Sequence, residues 1–262
     1  MTAAATAEAK SHETLVGAQF GSRATAYLAS AVHARGEDLD ALAALVQARP
    51  NARVLDLGCG GGHVTFAAAA HARAVVAYDL SPEMLDVVAR AAGDRGLANV
   101  TTQQGVVERL PFPDASFDIV LSRFSAHHWS DLDAALREAA RVLKPDGVVA
   151  FADSISPGTP LLDTWYQAIE LLRDPSHVRS YSRAEWEEAL ARAGFAARTT
   201  SRHRVRLVFD VWIERMKTPK VQADAIRALQ ARMSAGVARY FAVEADGTFQ
   251  IELGVFEGGK AG

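Results

Sequence analysis

The sequence predicts an α/β fold, a sheet with helices on both of its faces, and three features carry that prediction. From Ala52 onward, short apolar runs alternate with helix-length segments. Several of the runs are apolar without alternation, the pattern of strands covered on both sides. A glycine-rich stretch, 58–62, joins the first run to a helical pattern, as the turn at the carboxyl end of a buried strand does.

Taken in order, residues 1–50 read as an N-terminal helical cover. A loose tail, 1–14, precedes helical patterns at 15–33, carrying Phe20, Tyr27 and Leu28, and at 37–48, carrying Leu39, Leu42, Leu45 and Val46 before Pro50. Residues 51–155 form the core, with strands expected at 52–57, 74–79, 100–105, 117–122 and 148–152. Ser81 is positioned to cap the helix after the second strand, with Pro82 at its first position and Glu83 in its first turn. Ser130 and Asp133 resemble an aspartate version of a capping box, with Lys144 at the far helix end and Pro145 as the stop.

Residues 156–262 read as a lid followed by C-terminal strands. Helical patterns fall at 160–173, 209–216 and 219–234. Ser182 and Glu185 form a capping box, Tyr181 and Trp186 a hydrophobic staple, and Gly194 the exit of that helix. Asp246-Gly247 is a turn signal, followed at period two by Phe249, Ile251, Leu253 and Val255, an antiparallel strand. One domain with an added lid accounts for the 262 residues better than two independent domains.

Composition narrows the function. A net charge of −3 supplies no broad positive field for a phosphate backbone, so nucleic acid is an unfavoured partner. The single cysteine, Cys59, excludes an intramolecular disulfide framework. The first residues lack a basic flank followed by an apolar block, and no run of about twenty apolar residues occurs, so neither an export segment nor a membrane span is expected. A cytoplasmic location follows as the expectation; the sequence leaves the oligomeric state open.

The segment V-L-D-L-G-C-G-G-G-H, 54–63, is the chemical centre of the chain. Its glycines allow close approach of backbone to a ligand, and the helix that follows presents unpaired N–H groups. A dinucleotide fingerprint would require its third glycine at position 63, where this chain has His63, which weakens a nicotinamide reading. Asp79 ends the second strand where a carboxylate can accept hydrogen bonds from both hydroxyls of a ribose. That position serves a nucleoside without saying which one.

Four ordered pieces then resemble the class I S-adenosylmethionine-dependent methyltransferases, in particular the small-molecule group related to ubiquinone and menaquinone C-methyltransferases. They are V-L-D-L-G-C-G-G-G at 54–62, V-A-Y-D-L-S-P-E-M-L at 76–85, L-P-F-P-D-A-S-F-D-I-V at 110–120 and E-A-A-R-V-L-K-P-D-G at 138–147. The resemblance implies a Rossmann-like, seven-stranded, mostly parallel sheet in the order 3-2-1-4-5-7-6 with strand seven antiparallel. It also implies S-adenosylmethionine as cofactor and S-adenosylhomocysteine as product. On this resemblance Gly58 and Gly60 hold the methionyl part, Asp56 orients its amino group, Asp79 takes the ribose hydroxyls, Leu80 and Met84 flank adenine, and Leu110 lines the pocket. Relatives often carry an acidic or hydroxyl residue where this chain has Val106, so the adenine amino group needs another acceptor, such as backbone or Gln104. The Gln19–Tyr27 pattern resembles a cofactor-covering segment, with Phe20 and Tyr27 closing the cleft.

On the acceptor side, S-R-F-S-A-H-H-W, 122–129, follows the fourth strand at the ligand edge of the sheet. His127 and His128 are the candidate general bases, His127 preferred by its position in the resemblance. Arg123, His177 and Arg179 are candidates for binding the acceptor. No His/Cys/Asp ligand spacing accompanies them, so no metal is expected. The predicted function is transfer of a methyl group to a small-molecule oxygen, nitrogen or carbon nucleophile by in-line displacement. The alternatives are a noncatalytic S-adenosylmethionine- or nucleoside-binding protein and a methyltransferase acting on a macromolecule.

Overall fold

A computed structural model of the chain describes residues 11–21, 28 and 36–261. Seven strands, β1 (Arg53–Leu57), β2 (Ala74–Asp79), β3 (Val100–Gln104), β4 (Phe117–Arg123), β5 (Leu143–Ile155), β6 (Phe195–Leu207) and β7 (Phe249–Lys260), form one sheet in the order β3-β2-β1-β4-β5-β7-β6. The first five are parallel, and β7 runs antiparallel to both β5 and β6. The fold class and strand order are those the sequence implied.

The two sheet faces explain why the core strands carry no alternation. One is covered by α2 (Glu37–Gln47) and α3 (His63–Ala69), whose Leu39, Leu42, Val46 and Val64 pack on Val54, Val75, Ile119 and Leu121. On the other, α5 (Leu132–Val142) and α7 (Arg183–Arg192) pack Leu136, Ala139 and Trp186 against Leu55, Val120 and Phe256. Trp186 is stacked against Phe151 (5.8 Å between centroids) and Phe256 (5.0 Å). Burial of strand residues from both sides favours continuous apolar runs. The first helix, α1 (His12–Gly21), and α4 (Pro82–Asp94) flank the cofactor end.

A second apolar core lies beyond the sheet's β5–β7–β6 half. It is built by α6 (Pro160–Arg173), α8 (Phe209–Met216), α9 (Lys220–Arg232) and α10 (Ala235–Tyr240) with β6 and β7. Trp165, Tyr166, Ile169, Trp212, Phe241 and Phe249 fill it; of the apolar stripe Leu161, Leu162, Trp165, Tyr166 and Ile169 on α6, most is therefore packing, and Leu161 is exposed.

Several local expectations hold in detail. Ser81 Oγ accepts from Met84 N–H, Pro82 starts α4, and Ser182 and Glu185 form both bonds of a capping box. Gly194, at φ +86°, closes α7, and Asp246-Gly247 leads into β7.

Others are corrected. Asp131, not Ser130, caps α5, accepting from Ala134 N–H at 2.9 Å, because the helix starts at Leu132 and the residue directly before it is the one placed to reach its free N–H groups. The helix ends at Val142 and the backbone turns extended at Leu143, before Pro145, so Lys144 leaves the helix end and pairs with Asp118 Oδ1 at 2.6 Å. β5 therefore starts five residues before 148, and the long β6 and the short α10 fall where the local patterns gave no element.

Candidate active site

The loop after β1 is shaped by three glycines in the left-handed region, Gly58 (φ +65°), Gly60 (φ +49°) and Gly62 (φ +83°). At Gly58 a Cβ would fall 1.8 Å from Ser125 Oγ, so glycine is required by space as well as by angle. At Gly60 a Cβ would meet nothing within 4 Å, because that residue borders an open cleft. Gly58 and Cys59 donate their N–H groups to Tyr78 O at 2.8 and 3.0 Å, fastening the loop to the end of β2. Cys59 is buried and packs with Ala77, Leu85 and Val88, and burial holds its thiol well above the ordinary value.

Asp79 completes the loop. Its Oδ2 accepts from Gly60 N–H and its Oδ1 from Ser81 N–H, both at 2.9 Å. Burial raises its pKa, and these backbone bonds pull it back down. A carboxylate has about four acceptor positions, so two are left for hydroxyl donors of a ligand. Asp56 lies behind the loop, 1 % exposed, with Oδ2 accepting from Thr65 Oγ1 at 2.6 Å and Oδ1 without a partner. Burial lifts its pKa to about 7 against the lowering effect of the Thr65 bond, and the nearby Asp79 charge adds to the rise.

A cleft opens in front of these groups. Gly58, Gly60 and Asp79 line it, as do Leu80, Met84 and Val106 and, from α1, Phe20. Tyr27 lies outside the described residues. Asp56 does not reach the cleft wall, and its orphaned oxygen is the feature a cationic amino group on the loop side would compensate. Leu110, expected in the lining, is instead packed in the core with Phe117 and Leu136. Gln104 is also absent from the lining; its amide donates to Leu80 O at 3.1 Å on the exposed side of β3. The glycine cradle, the shared carboxylate and the orphaned buried oxygen together fit a nucleoside bearing an amino-acid tail.

A second chamber, of about 380 Å³, adjoins the first. The two share the wall formed by Phe20, Arg123, Phe124 and His128. His127 faces the second chamber only. Its Nδ1 donates to Asp153 Oδ1 at 2.6 Å, which leaves the lone pair of Nε2 for another partner. Burial disfavours the imidazolium, but the Asp153 charge and hydrogen bond, with Glu170 and Asp174 beyond, outweigh it and hold the pKa above the usual 6.5.

His128 has the opposite balance: burial and the neighbouring His127 push it to about 4, so it stays neutral while its Nδ1 donates to Ser176 O at 3.0 Å. The two adjacent histidines sit in a 3₁₀ turn, Ala126–His128, with ring centroids 4.2 Å apart.

The other acceptor-side candidates separate. Arg123 borders both chambers, but its Nε is committed to a buried ion pair with Asp38. His177 and Arg179 line neither chamber. His177 Nε2 pairs with Gln167 Oε1 at 2.9 Å, and burial next to His127 and His128 drives its pKa to about 2. Arg179 Nη2 is tied to Glu185 at 2.9 Å and to Asp163 at 3.2 Å. These two are corrected to scaffolding of the loop that carries Ser176 under His128.

Sequence reasoning missed Asp153 and Asp38. Asp153 is the acid at the end of β5, next to the β4 loop in sheet order. Asp38 stands four and eight residues before Leu42 and Val46 on the buried stripe of α2, a carboxylate where an apolar residue belongs. Among the described residues, no group of three or more His, Cys, Asp or Glu side chains could hold a metal ion. Nor is any helix of the described residues long and apolar enough to cross a membrane.

Known proteins resemble this chain in sequence and fold. Residues 55–151 match the family described as a methyltransferase domain. The uncharacterized protein YafE of Escherichia coli K12 is 48 % identical over 204 residues, covering 78 % of this chain and 99 % of that protein. The uncharacterized methyltransferase YcgJ of Bacillus subtilis is 40 % identical over 200 residues, covering 76 % of this chain and 79 % of that protein. The crystal structure of YcgJ superposes with a TM-score of 0.83 over 86 % of this chain and 98 % of that one, at 34 % identity. A methyltransferase structure from Bacillus halodurans, described as putative in its own name, gives 0.83 over 87 % of this chain and all of that one, at 30 % identity. With the strand order, the glycine loop and these relatives in agreement, the chain belongs to the class I S-adenosylmethionine-dependent methyltransferases.

Proposed function

We propose that the enzyme methylates a small molecule seated in the second chamber, with His127 as the general base and Asp153 as the group that orients it. The observation that carries this reading is the His127–Asp153 pair, 2.6 Å apart, on a chamber that shares a wall with the cofactor cleft.

When bound, S-adenosylmethionine supplies a methyl group on a cationic sulfur, already electrophilic enough that the protein need not activate it. Gly58, Gly60 and Asp79 would hold that donor at the carboxyl ends of the strands, and the chamber would align the acceptor for in-line displacement, the acceptor's electron pair forming the bond to the methyl carbon as the carbon–sulfur pair leaves with sulfur. His127 Nε2 takes the acceptor's proton, and Asp153 stabilises the imidazolium that results. An oxygen, nitrogen or carbon acid is served by this arrangement, since each must lose a proton.

The chamber's size, about 380 Å³, supports a small acceptor over a macromolecule. Leu207, Trp212, Met216, Ile251 and Leu253 give it apolar surface, and Asp38, Arg123, His127, Glu170 and His203 supply polar groups. The test is an assay of a metabolite extract with methyl-labelled S-adenosylmethionine, followed by mass analysis. A labelled small-molecule product that His127→Ala abolishes, with adenosylhomocysteine binding intact, is the expected result. Label appearing only in protein or nucleic acid would overturn it.

A further inference from the structure

The wall between the two chambers contains an unusual residue. Phe124 has φ +52°, in the left-handed region, which a bulky side chain pays to enter. Its N–H is fixed to Ala152 O at 2.9 Å, so the strained conformation is locked to the end of β5. The Arg123 guanidinium lies over one face of the ring, 4.7 Å from its centroid, and Arg123 is in turn held by buried Asp38. Phe124 lines both chambers, and its side chain also packs against the second apolar core. A glycine at 124 would accept this backbone without strain, and the neighbouring loop after β1 uses glycine at each such position. The chain instead keeps an aromatic ring, clamped from behind, between donor and acceptor. Strain kept by its surroundings at such a point marks a role in the site.

We propose that Phe124 is the specificity-determining residue of the transfer: its fixed ring is the partition that limits which acceptor atom reaches the methyl group. Asp38 and Arg123 are positioning residues that hold the ring. The inference rests on the reading of the second chamber as the acceptor site. A rigid partition next to the opening admits one approach of the acceptor and blocks atoms that carry bulk beside the nucleophile. Softening or removing it broadens the set of atoms methylated without loosening the donor, whose anchors lie on β1, β2 and their loops.

The experiment compares the wild type with Phe124→Asn and Phe124→Leu. Asparagine tolerates the left-handed backbone and deletes the ring; leucine keeps bulk but no flat face. Adenosylhomocysteine affinity is read by calorimetry, and product position by fragmentation of methyl-labelled products from the metabolite extract. The expected result for Phe124→Asn is an affinity within threefold of wild type, a wild-type product reduced at least tenfold, and methyl groups at additional positions or on additional acceptors. Phe124→Leu should fall between the two, and it carries the test alone should the asparagine variant not fold. The same single product at the wild-type rate from either folded variant overturns the partition.

Leu253→Trp, which fills the second chamber, separates the two readings. Loss of product with Leu253→Trp and no change with the Phe124 variants removes the partition alone. An untouched product with Leu253→Trp removes the acceptor chamber and the partition with it.

Discussion

Asp56→Asn isolates the cost of the buried carboxylate behind the glycine loop. The group's pKa of about 7 in the fold, against an ordinary 3.8, means that the folded chain binds more protons than the unfolded chain between those values. The contribution of Asp56 to the stability of the ligand-free protein therefore falls as pH rises from about 4 to about 7 and levels off above it. At about 1.4 kcal/mol per pH unit, the full penalty is about 4 kcal/mol at pH 8 and under about 2 kcal/mol at pH 5. Asparagine keeps an oxygen for Thr65 and has no charge to bury. Its own unpaired NH2 costs the same at every pH, so the pH dependence of the difference is the quantity to read. Urea denaturation of the ligand-free wild type and variant at pH 5 and pH 8 should show the variant gaining about 2 to 3 kcal/mol relative to wild type between the two. A difference that stays constant with pH would refute the argument. Saturating adenosylhomocysteine should shrink the wild-type slope, because a cationic amino group favours the ionised carboxylate.

Further expectations can be tested separately. Asp79→Ala should weaken adenosylhomocysteine binding by about 1.5 to 3 kcal/mol, a charged hydrogen bond's worth, and unchanged calorimetric affinity in folded protein would remove its role. His127→Ala should lower turnover about 100-fold or more with little change in cofactor affinity. Because His127 is held above its usual 6.5, kcat/KM should rise with pH through a limb lying above that value, and Asp153→Asn, by removing the chief charge that raises it, should move the limb to lower pH; a limb that stays in place in both proteins counts against the pair. Ser182→Ala deletes a capping-box bond and should cost about 1 kcal/mol, read as a Tm lower by about 2 to 4 °C.

The parts of the fold legible in the sequence are those fixed by local chemistry. Ser182 with Glu185, Ser81 with Pro82, and Asp246-Gly247 each act within a few residues, and the structure holds all three in place. β6 was hidden because its residues, from Phe195 to Leu207, are mostly polar: it is the sheet's last strand, half open to water, and Arg198, Arg202, Arg204 and Arg206 need no apolar partner there. Arg206 finds Glu244 at 2.6 Å only through the tertiary fold.

The donor side of the site follows the same division. Gly58, Gly60 and Asp79 act through backbone shape and one carboxylate, both encoded within short motifs. The acceptor side depends on pairs far apart in sequence: His127 with Asp153, and Arg123 with Asp38. No spacing rule joins such residues, nor does any join His177 to Gln167 or Arg179 to Asp163 and Glu185, the partners that hold them in the fold.

The two hollows draw on different stretches of chain. Apart from their common wall, the donor cleft is built from residues before 131, whereas the far side of its neighbour comes from α6, α8, β6 and β7. Residues 55–151 are the stretch that the family shares, and the apolar lining from Leu207 to Leu253 lies entirely beyond it. On the proposed reading of the second chamber as the acceptor site, substitutions downstream would change what is methylated while the donor anchors Gly58, Gly60 and Asp79 stay in place, which makes the C-terminal third the natural segment to exchange between relatives when a new acceptor is wanted.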